Sequence, residues 1–508
     1  MNTVKIAKIP ECDKASKDFS ASVDGKILPV REVRVSSQPF NTWWPGHQRG
    51  TEQTETASFA SFDFSGKVKV EIKVLSKKIE KLEIRPKEYG IIPEVNNNVI
   101  SFTLDKPLNF TVEVNGFHNV FHMFANGLPE YDVDFNSPDT IYYGPGVHTA
   151  GLIILRDNQT LYVDDGAVVY ASVYADRAKN ARVLGHGVID SSIYKRMGAD
   201  ARIGKSGGEI AEAHKREMLP NKHPIGNLTA DKCDNLIIDG VIFRDPPSWS
   251  FNIYDCENVK INNIKMVGLW RYNADGIDIY LGKNFEITNS FIRSFDDSIV
   301  ARGACGAADR DIFENLVSDN CVLWCEWGRA MEIWTARLTS HISGVVFKNC
   351  HIIRTAHIAM DLQVYNGGPT YMDNIVFDNI SVDTDTPTDR PVYQKSDDMV
   401  YCGANDAEYQ PTLFFTGNTY KLEAPINDSG LPCDINFTNV TVRNIRVYGT
   451  KMLGSAIHTS DKYMKCSDVA FSDISFNGKK LTDKKSIELY IGSEAQNITL
   501  DGKLISEK

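Results

Sequence analysis

The stretch VKINNIKM (259–266) is followed by FEITNSFI (285–292), and the two share one phrase. An apolar-x-apolar pair runs into one or two polar residues, then Asn or Asp, then a second apolar-x-apolar pair. The phrase recurs as LIIDGVIF (236–243), LVSDNCVL (316–323), VVFKNCHI (345–352), IVFDNISV (375–382), INFTNVTV (435–442) and VAFSDISF (469–476). With Asp239, Asn263, Asn289, Asp319, Asn349, Asn379, Asn439 and Asp473 as markers, the spacings are 24, 26, 30, 30, 30, 60 and 34 residues. Short strands returning at such a period, each broken by Asn or Asp at a corner, form a solenoid whose coils stack strand on strand. The sequence therefore predicts an all-β protein with a right-handed parallel β-helix over 139–508. The marker amides are expected to hydrogen-bond up one corner. The interval of 60 holds two coils or one coil with an insertion.

Upstream the pattern changes. KVKVEIKVL (67–75), VISFTL (99–104) and NFTVEVNG (109–116) alternate apolar and polar residues and read as half-exposed antiparallel strands. They predict a small β-sandwich over 1–138, with GLPEYDVDFNSPDT (127–140) as the link. Two stretches break the helix period: 192–230, with the helical-looking EIAEAHKREML, and 384–432. Insertions in a solenoid emerge as loops on one face and often wall a groove.

Composition narrows the partners. Across 508 residues, 55 Lys and Arg face 66 Asp and Glu, a formal net charge of -11. That balance argues against nucleic acid and suits a neutral ligand. No apolar run is long enough to span a bilayer, so no membrane partner is expected. The first residues lack the apolar core of a leader. The chain is expected to be secreted or periplasmic if a leader has been removed, and otherwise cytoplasmic. The ten cysteines are scattered singly and read as buried thiols, Cys321 and Cys325 lying nearest the site described next. No motif calls for a cofactor.

Neighbouring coils can be registered just after the corner: WSFNIY (249–254), DGIDIY (275–280), DSIVAR (297–302), RAMEIW (329–334) and IAMDLQ (358–363). One parity, Ile253, Ile277, Ile279, Ile299, Met331, Ile333, Met360 and Leu362, is the filled interior. The other carries Asn252, Tyr254, Asp278, Tyr280, Arg302, Glu332, Trp334, Asp361 and Gln363. A plain solvated face would be rich in Lys, Ser and Thr. Acids beside exposed aromatics suit a sugar, whose CH groups stack on rings and whose hydroxyls meet charged groups.

In this register Asp275 and Asp297 are equivalent on adjacent coils, with Asp296 beside them. Carboxylates on strands about 4.8 Å apart repel, which raises at least one pKa. Glycoside hydrolysis needs such a pair, a protonated acid on the leaving oxygen and an ionised base holding water. The inverting form separates them by roughly 6.5–9.5 Å. A calcium site is the structural alternative. Since Asp296 and Asp297 have opposite parity, one must sit in the turn before the strand. His357 is in register with Asp296 two coils on and is a candidate substrate ligand. His186 reads as structural, and Trp324 and Trp327 as wall or core. Arg302, Arg329 and Arg337 either hold substrate hydroxyls or pair with the acids.

These residues carry a resemblance. GLIILRDNQTLYVDDGAVVYASVYADRAKNARVLGHGVIDSS (151–192), NADGIDIY (273–280), SFDDSIV (294–300) and MEIWTARLTSHISGVVF (331–347) resemble the pectin-lyase-like β-helix glycosidases. The likeness is greatest to glycoside hydrolase family 49, the dextranases and isopullulanases, and more distant to the family 28 polygalacturonases. It covers roughly 150–365 and implies an α-glycosidic bond, a dextran-like α-glucan foremost, cleaved by an inverting mechanism. Asp296 is then the general acid, and Asp275 and Asp297 activate water. Asp278, Tyr280, Arg302, Glu332, Trp334, His357 and Asp361 would bind substrate. The chain departs from polygalacturonases in CEWGRAMEIW (325–334), which lacks Gly-His-Gly, and in having no Arg-Ile-Lys. It departs from family 49 at Asn273-Ala274, where that family has Gln-Thr, and in its shorter N-terminal part. A lyase or pectic-type hydrolase on the same fold, or a non-catalytic carbohydrate-binding helix, are the alternatives.

Overall fold

The computed structural model describes residues 2–37, 49–196, 224–303, 312–335, 340–364, 369–384, 392–393, 402–403, 411–417, 434–460 and 463–506. Most of the two insertions, including EIAEAHKREML, and Arg337 lie outside the described residues.

From Thr140–Tyr143 to Ala495–Leu500 the strands join one continuous sheet in which strands pair parallel with their equivalents one coil later, and only the short Lys479–Lys480 and Lys503–Leu504 among the described strands of this sheet add as antiparallel hairpins. This is the right-handed parallel β-helix. Its interior is a single column of aliphatic and aromatic side chains, including Ile253, Ile279, Ala301, Ile333 and Leu362 on one wall and Phe285, Phe313, Phe347 and Phe377 on others. Like stacks on like because coils repeat: Phe347 and Phe377 stand face to face, 5.4 Å between centroids.

The corner amides are present, with the markers shifted. Asn263, Asn289, Asn320, Asn349, Asn379, Asn444 and Asp473 all take the left-handed conformation, where Asn and Asp are the best-tolerated residues after Gly. Asn320 donates to Asn289 (2.8 Å), Asn349 to Asp319 (2.8 Å) and Asn379 to Asn349 (2.6 Å). Asp239 and Asp319, taken as markers from sequence, precede this corner by one residue. They accept amide hydrogen bonds from Asn262 and Asn349. Asn439 belongs to a second ladder at another corner, where it donates to Asn374. Ile375 pairs directly with Val440, so the interval of 60 is one coil with an insertion.

The N-terminal part is two packed sheets. One runs Thr3–Lys5, Thr54–Ser65, Phe121–Gly127, Leu108–Val114 and Leu82–Arg85, with Arg31–Ser36 on its flank. The other runs Lys26–Leu28, Phe19–Val23, Val68–Val74, Val99–Leu104 and Glu94–Asn96. Phe19, Phe62, Val70, Ile72, Phe110 and Phe121 fill the space between them. The strand Leu108–Val114 is not half-exposed as its alternation predicts; both faces are covered. Its polar face is pressed on the β-helix, where Asn109 donates to Asn289 O (2.9 Å) and Glu113 binds Arg354 (2.6 Å). Around it Val33, Phe59, Val120 and Phe124 pack on Val188, Ile242, Phe291 and Trp324 of the helix. His186 joins this contact through Asp63 (2.7 Å), a structural role. Trp324 is core, between the guanidinium groups of Arg293 and Arg354.

Asn349 combines left-handed backbone with two ladder bonds. Asn349→Val should cost about 2–4 kcal/mol, adding backbone strain to lost amide bonds, and Asn349→Gly clearly less. Denaturant unfolding of the two variants checks this; equal losses would show that conformation contributes nothing.

Candidate active site

Five strands carry the site, and their pairing is the predicted one. Phe251 faces Ile277, Ile277 faces Ile299, Ile299 faces Met331 and Met331 faces Met360. Asn252, Asp278, Val300, Glu332 and Asp361 therefore form one outward row, and Tyr254, Tyr280, Arg302, Trp334 and Gln363 the next. Asp275, Asp297 and Arg329 enter just before these strands. Two glycines permit it: a Cβ on Gly276 would stand 2.3 Å from Ser298 O, and one on Gly328 2.4 Å from Oδ1 of both Asp296 and Asp297.

Asp296 occupies the bend ahead of Ile299–Arg302, which settles the parity question. The bend is fixed by its backbone: the N–H groups of Phe295 and Asp296 donate to Ala274 O, and Ser294 Oγ donates to Asp296 O (2.6 Å). Cys325 also donates to Asp296 O (3.3 Å), a structural link from a buried thiol.

The face predicted as exposed is closed to solvent. Asp275, Asp278, Glu332 and Asp361 are at most 1% accessible, and Asp296 and Asp297 only 5% and 6%. Arg302 lies across the acids, donating to Asp278 (2.6 Å), Asp275 (3.1 Å) and Asp297 (3.5 Å), with its plane 4.8 Å from the Trp334 ring. Arg329 lies 3.5–3.7 Å from Asp297, Glu332 and Asp361. Of the two roles open to Arg302 and Arg329, pairing with acids is the one observed. His357 is buried, and burial with the nearby Arg329 charge holds it well below its ordinary pKa, as neutral imidazole. Trp327 is half-buried, stacks on Phe295 and meets Tyr272 at a tilt. Trp249, Tyr280 and Tyr254 form an aromatic strip beside the acids.

Six carboxyls share two guanidinium groups here, so not all can ionise together. Burial, then the charge of Asp297, pushes Asp296 up to about 8. Burial raises Asp361 to about 8 and Asp278 to about 6. Asp275 is driven upward by burial and by Asp278, Asp296 and Asp297. Glu332 is likewise raised by burial and Asp297. Asp297 instead collects donors: Arg329 N–H (2.8 Å), Arg302 and Arg329 side chains. Glu332 Oε2 and Asp361 Oδ1 have no hydrogen-bond partner among the described residues, whereas the Asp275 and Asp278 side chains are hydrogen-bonded to each other.

Sequence reasoning missed Arg196, Asn273 and Gly328. Asn273 Nδ2 donates to Asp296 Oδ2 (3.1 Å), and Arg196 donates to Asn273 Oδ1 (2.9 Å). Asn273 lay in view two residues before Asp275, whereas no local signal marks Arg196. Among the described residues no group of three or more His, Cys, Asp or Glu is arranged to hold a metal ion. No described helix is long and apolar enough to cross a membrane.

A parallel β-helix with a buried carboxyl cluster on one outward face defines the class as that of the β-helix glycosidases. The sequence model of glycosyl hydrolases family 28 matches residues 152–405, half of the chain, and the chain belongs to that family. Among curated relatives it is 24% identical to a dextranase of Arthrobacter sp. (strain CB-8) over 51% of this chain and 42% of that one. It is 24% identical to a polygalacturonase of Cryptomeria japonica over 60% and 50%, and 25% identical to an isopullulanase of Aspergillus niger over 44% and 37%. The chain thus spans half or less of these relatives' lengths. The structure of Dex49A from Penicillium minioluteum superposes with a TM-score of 0.55 at 13% identity, covering 97% of this chain and 96% of that one. At that identity the match concerns the fold.

The raised acids bear on stability. A carboxyl ordinarily near 3.8 and held near 8 in the fold keeps its proton there between those values, when the unfolded chain has lost it. Stability from Asp296 and Asp361 is therefore full below that ordinary value and lost as pH rises toward 8. Thermal unfolding midpoints should fall across this range, and fall less in Asp361→Asn. An Asp361→Asn variant with an unchanged pH slope would contradict the assignment.

Proposed function

We propose that this chain hydrolyses an α-glycosidic bond in a neutral oligo- or polysaccharide, a dextran-like α-glucan foremost, by inversion. The carrying observation is the adjacent pair: Asp296 held protonated and Asp297 surrounded by donors. Asp296 gives its proton to the leaving oxygen as the bond breaks. Asp297 takes a proton from the attacking water, which Asp275, one coil before, helps to hold. Arg302 bridges Asp275 and Asp297 and balances charge as the proton moves. Trp334, half-buried with Arg302 over its ring, offers its other face to sugar CH groups, and Tyr280, buried and stacked on Tyr254, supports the arginine from the adjacent coil. Glu332 and Asp361 offer acceptors to hydroxyls, and His357 lines the same register.

Neutrality of the substrate follows from charge. A uronate would add a negative group to six carboxyls, and both arginines already engage acids. The Arthrobacter dextranases among the relatives bear on the same choice.

One observation favours a second reading. Asp296 and Asp297 Oδ1 both stand 2.4 Å from the point a Gly328 Cβ would occupy, so they lie closer together than the roughly 6.5–9.5 Å of an inverting pair. A carboxylate so close could act as a nucleophile, with retention.

Asp296→Asn should lower turnover of the natural glycan by about 10³-fold or more, but far less on an aryl glycoside whose leaving group needs no proton. Asp297→Asn should damage both substrates alike. Nuclear magnetic resonance of the first-formed anomer separates the readings: inversion supports water activation by Asp297, and retention makes it the nucleophile. Release of reducing ends from polygalacturonate but not from α-glucans would overturn the substrate assignment.

A further inference from the structure

The proton that Asp296 donates must stand on a particular oxygen, and the structure shows what selects it. Asn273 touches Asp296 through its side-chain amide, Nδ2 to Oδ2 at 3.1 Å. An amide can turn over, placing its carbonyl against the carboxyl instead. Arg196 prevents this. Its guanidinium has only donors, and it donates to Asn273 Oδ1 at 2.9 Å, so the carbonyl must face the arginine and the NH2 must face the acid.

Arg196 is itself held firmly. It is buried, donates to Tyr272 O and to Ser248 Oγ (3.3 Å), and stacks 4.8 Å over the Tyr272 ring. Asn273 takes the left-handed backbone conformation, and Ser248 Oγ donates to its carbonyl (3.3 Å). Oδ2 of Asp296 faces an NH2 group, which cannot accept a hydrogen bond. Oδ1 faces the gap that Gly328 leaves open.

We propose that Arg196 is a positioning residue that locks the Asn273 amide and so confines the acidic proton of Asp296 to Oδ1. The inference rests on the general-acid reading of Asp296 given above. Without Arg196 the amide turns, its carbonyl accepts a hydrogen bond from a proton now carried on Oδ2, and that proton points away from the leaving oxygen. The turned amide also favours the protonated carboxyl, where the NH2 group favoured the ionised one. The charged groups facing Asp296 (Asp297 and Arg302 on its own coil, Asp275 and Arg329 on the neighbouring ones) are unchanged by this rotation.

The test uses Arg196→Met, which keeps bulk without a donor, and Asn273→Gly, which suits the left-handed backbone. The infrared carbonyl band of Asp296, assigned by its loss in Asp296→Asn, is titrated in each variant and in the double variant. Arg196→Met should raise the midpoint by half a pH unit or more, and the double variant should behave as Asn273→Gly alone. In parallel, kcat on the glycan should fall about tenfold or more with KM nearly unchanged, while an activated aryl glycoside is spared. An unmoved midpoint, or additive effects in the double variant, overturns the inference. A raised midpoint with equal losses on both substrates upholds the Arg196 to Asp296 linkage and counts against the acid role of Asp296 itself.

Discussion

Parallel coils stack about 4.8 Å apart, and every side chain in a β-helix meets its equivalent at that distance above and below. Apolar groups gain from the repetition, as in the stacked Phe347 and Phe377 and the aliphatic column beside them. Amides gain too, since each carries a donor and an acceptor; each ladder bond contributes roughly 0.5–1.5 kcal/mol. Carboxylates do not. Stacking Asp275 on Asp297, and Glu332 on Asp361, places like charges one coil apart, and the fold tolerates them by protonation and by two arginines. The same spacing that builds the scaffold thus sets the acid strengths in its site.

The N-terminal sandwich bears on this site from behind. Arg293, three residues before Asp296, is buried against it, donating to Glu326 (2.8 Å) and to His122 Nε2 (3.1 Å). His122 is in turn fixed to Thr111 (2.8 Å). Arg49 packs 4.1 Å over Phe295, the residue next to the acid. Burying charged groups is costly unless each is paired; Arg293 is paired with Glu326 within the β-helix, and Arg354 with Glu113 across the contact. The segment carrying Asp296 is therefore clamped between the sandwich and the coil that follows.

Within the cluster, charge is distributed unevenly although the residue types are alike. Asp297 has a backbone N–H and two guanidinium groups; Asp296 has one amide and a protonation state maintained by burial. Two carboxyls adjacent in the chain thus meet different surroundings. The absence of a side chain at Gly328 is what lets them share one gap.

The repeat phrase determined the β-helix, because a periodic sequence can bury its apolar positions only by stacking equivalent strands. The same periodicity determined the register of Asp275, Asp278, Asp297, Arg302, Glu332, Trp334 and Asp361, since residues in register become neighbours whatever the loops do. It placed the corner one residue early at Asp239 and Asp319, because the left-handed residue is the next one, Gly240 or Asn320, and only backbone conformation distinguishes the two positions. Solvent exclusion from the acids, the burial of Leu108–Val114 and the reach of Arg196 to Asn273 were decided by tertiary structure alone. Each depends on a surface brought up from a different part of the chain. Periodicity reports which residues share a face, and it carries no information about what comes to cover that face.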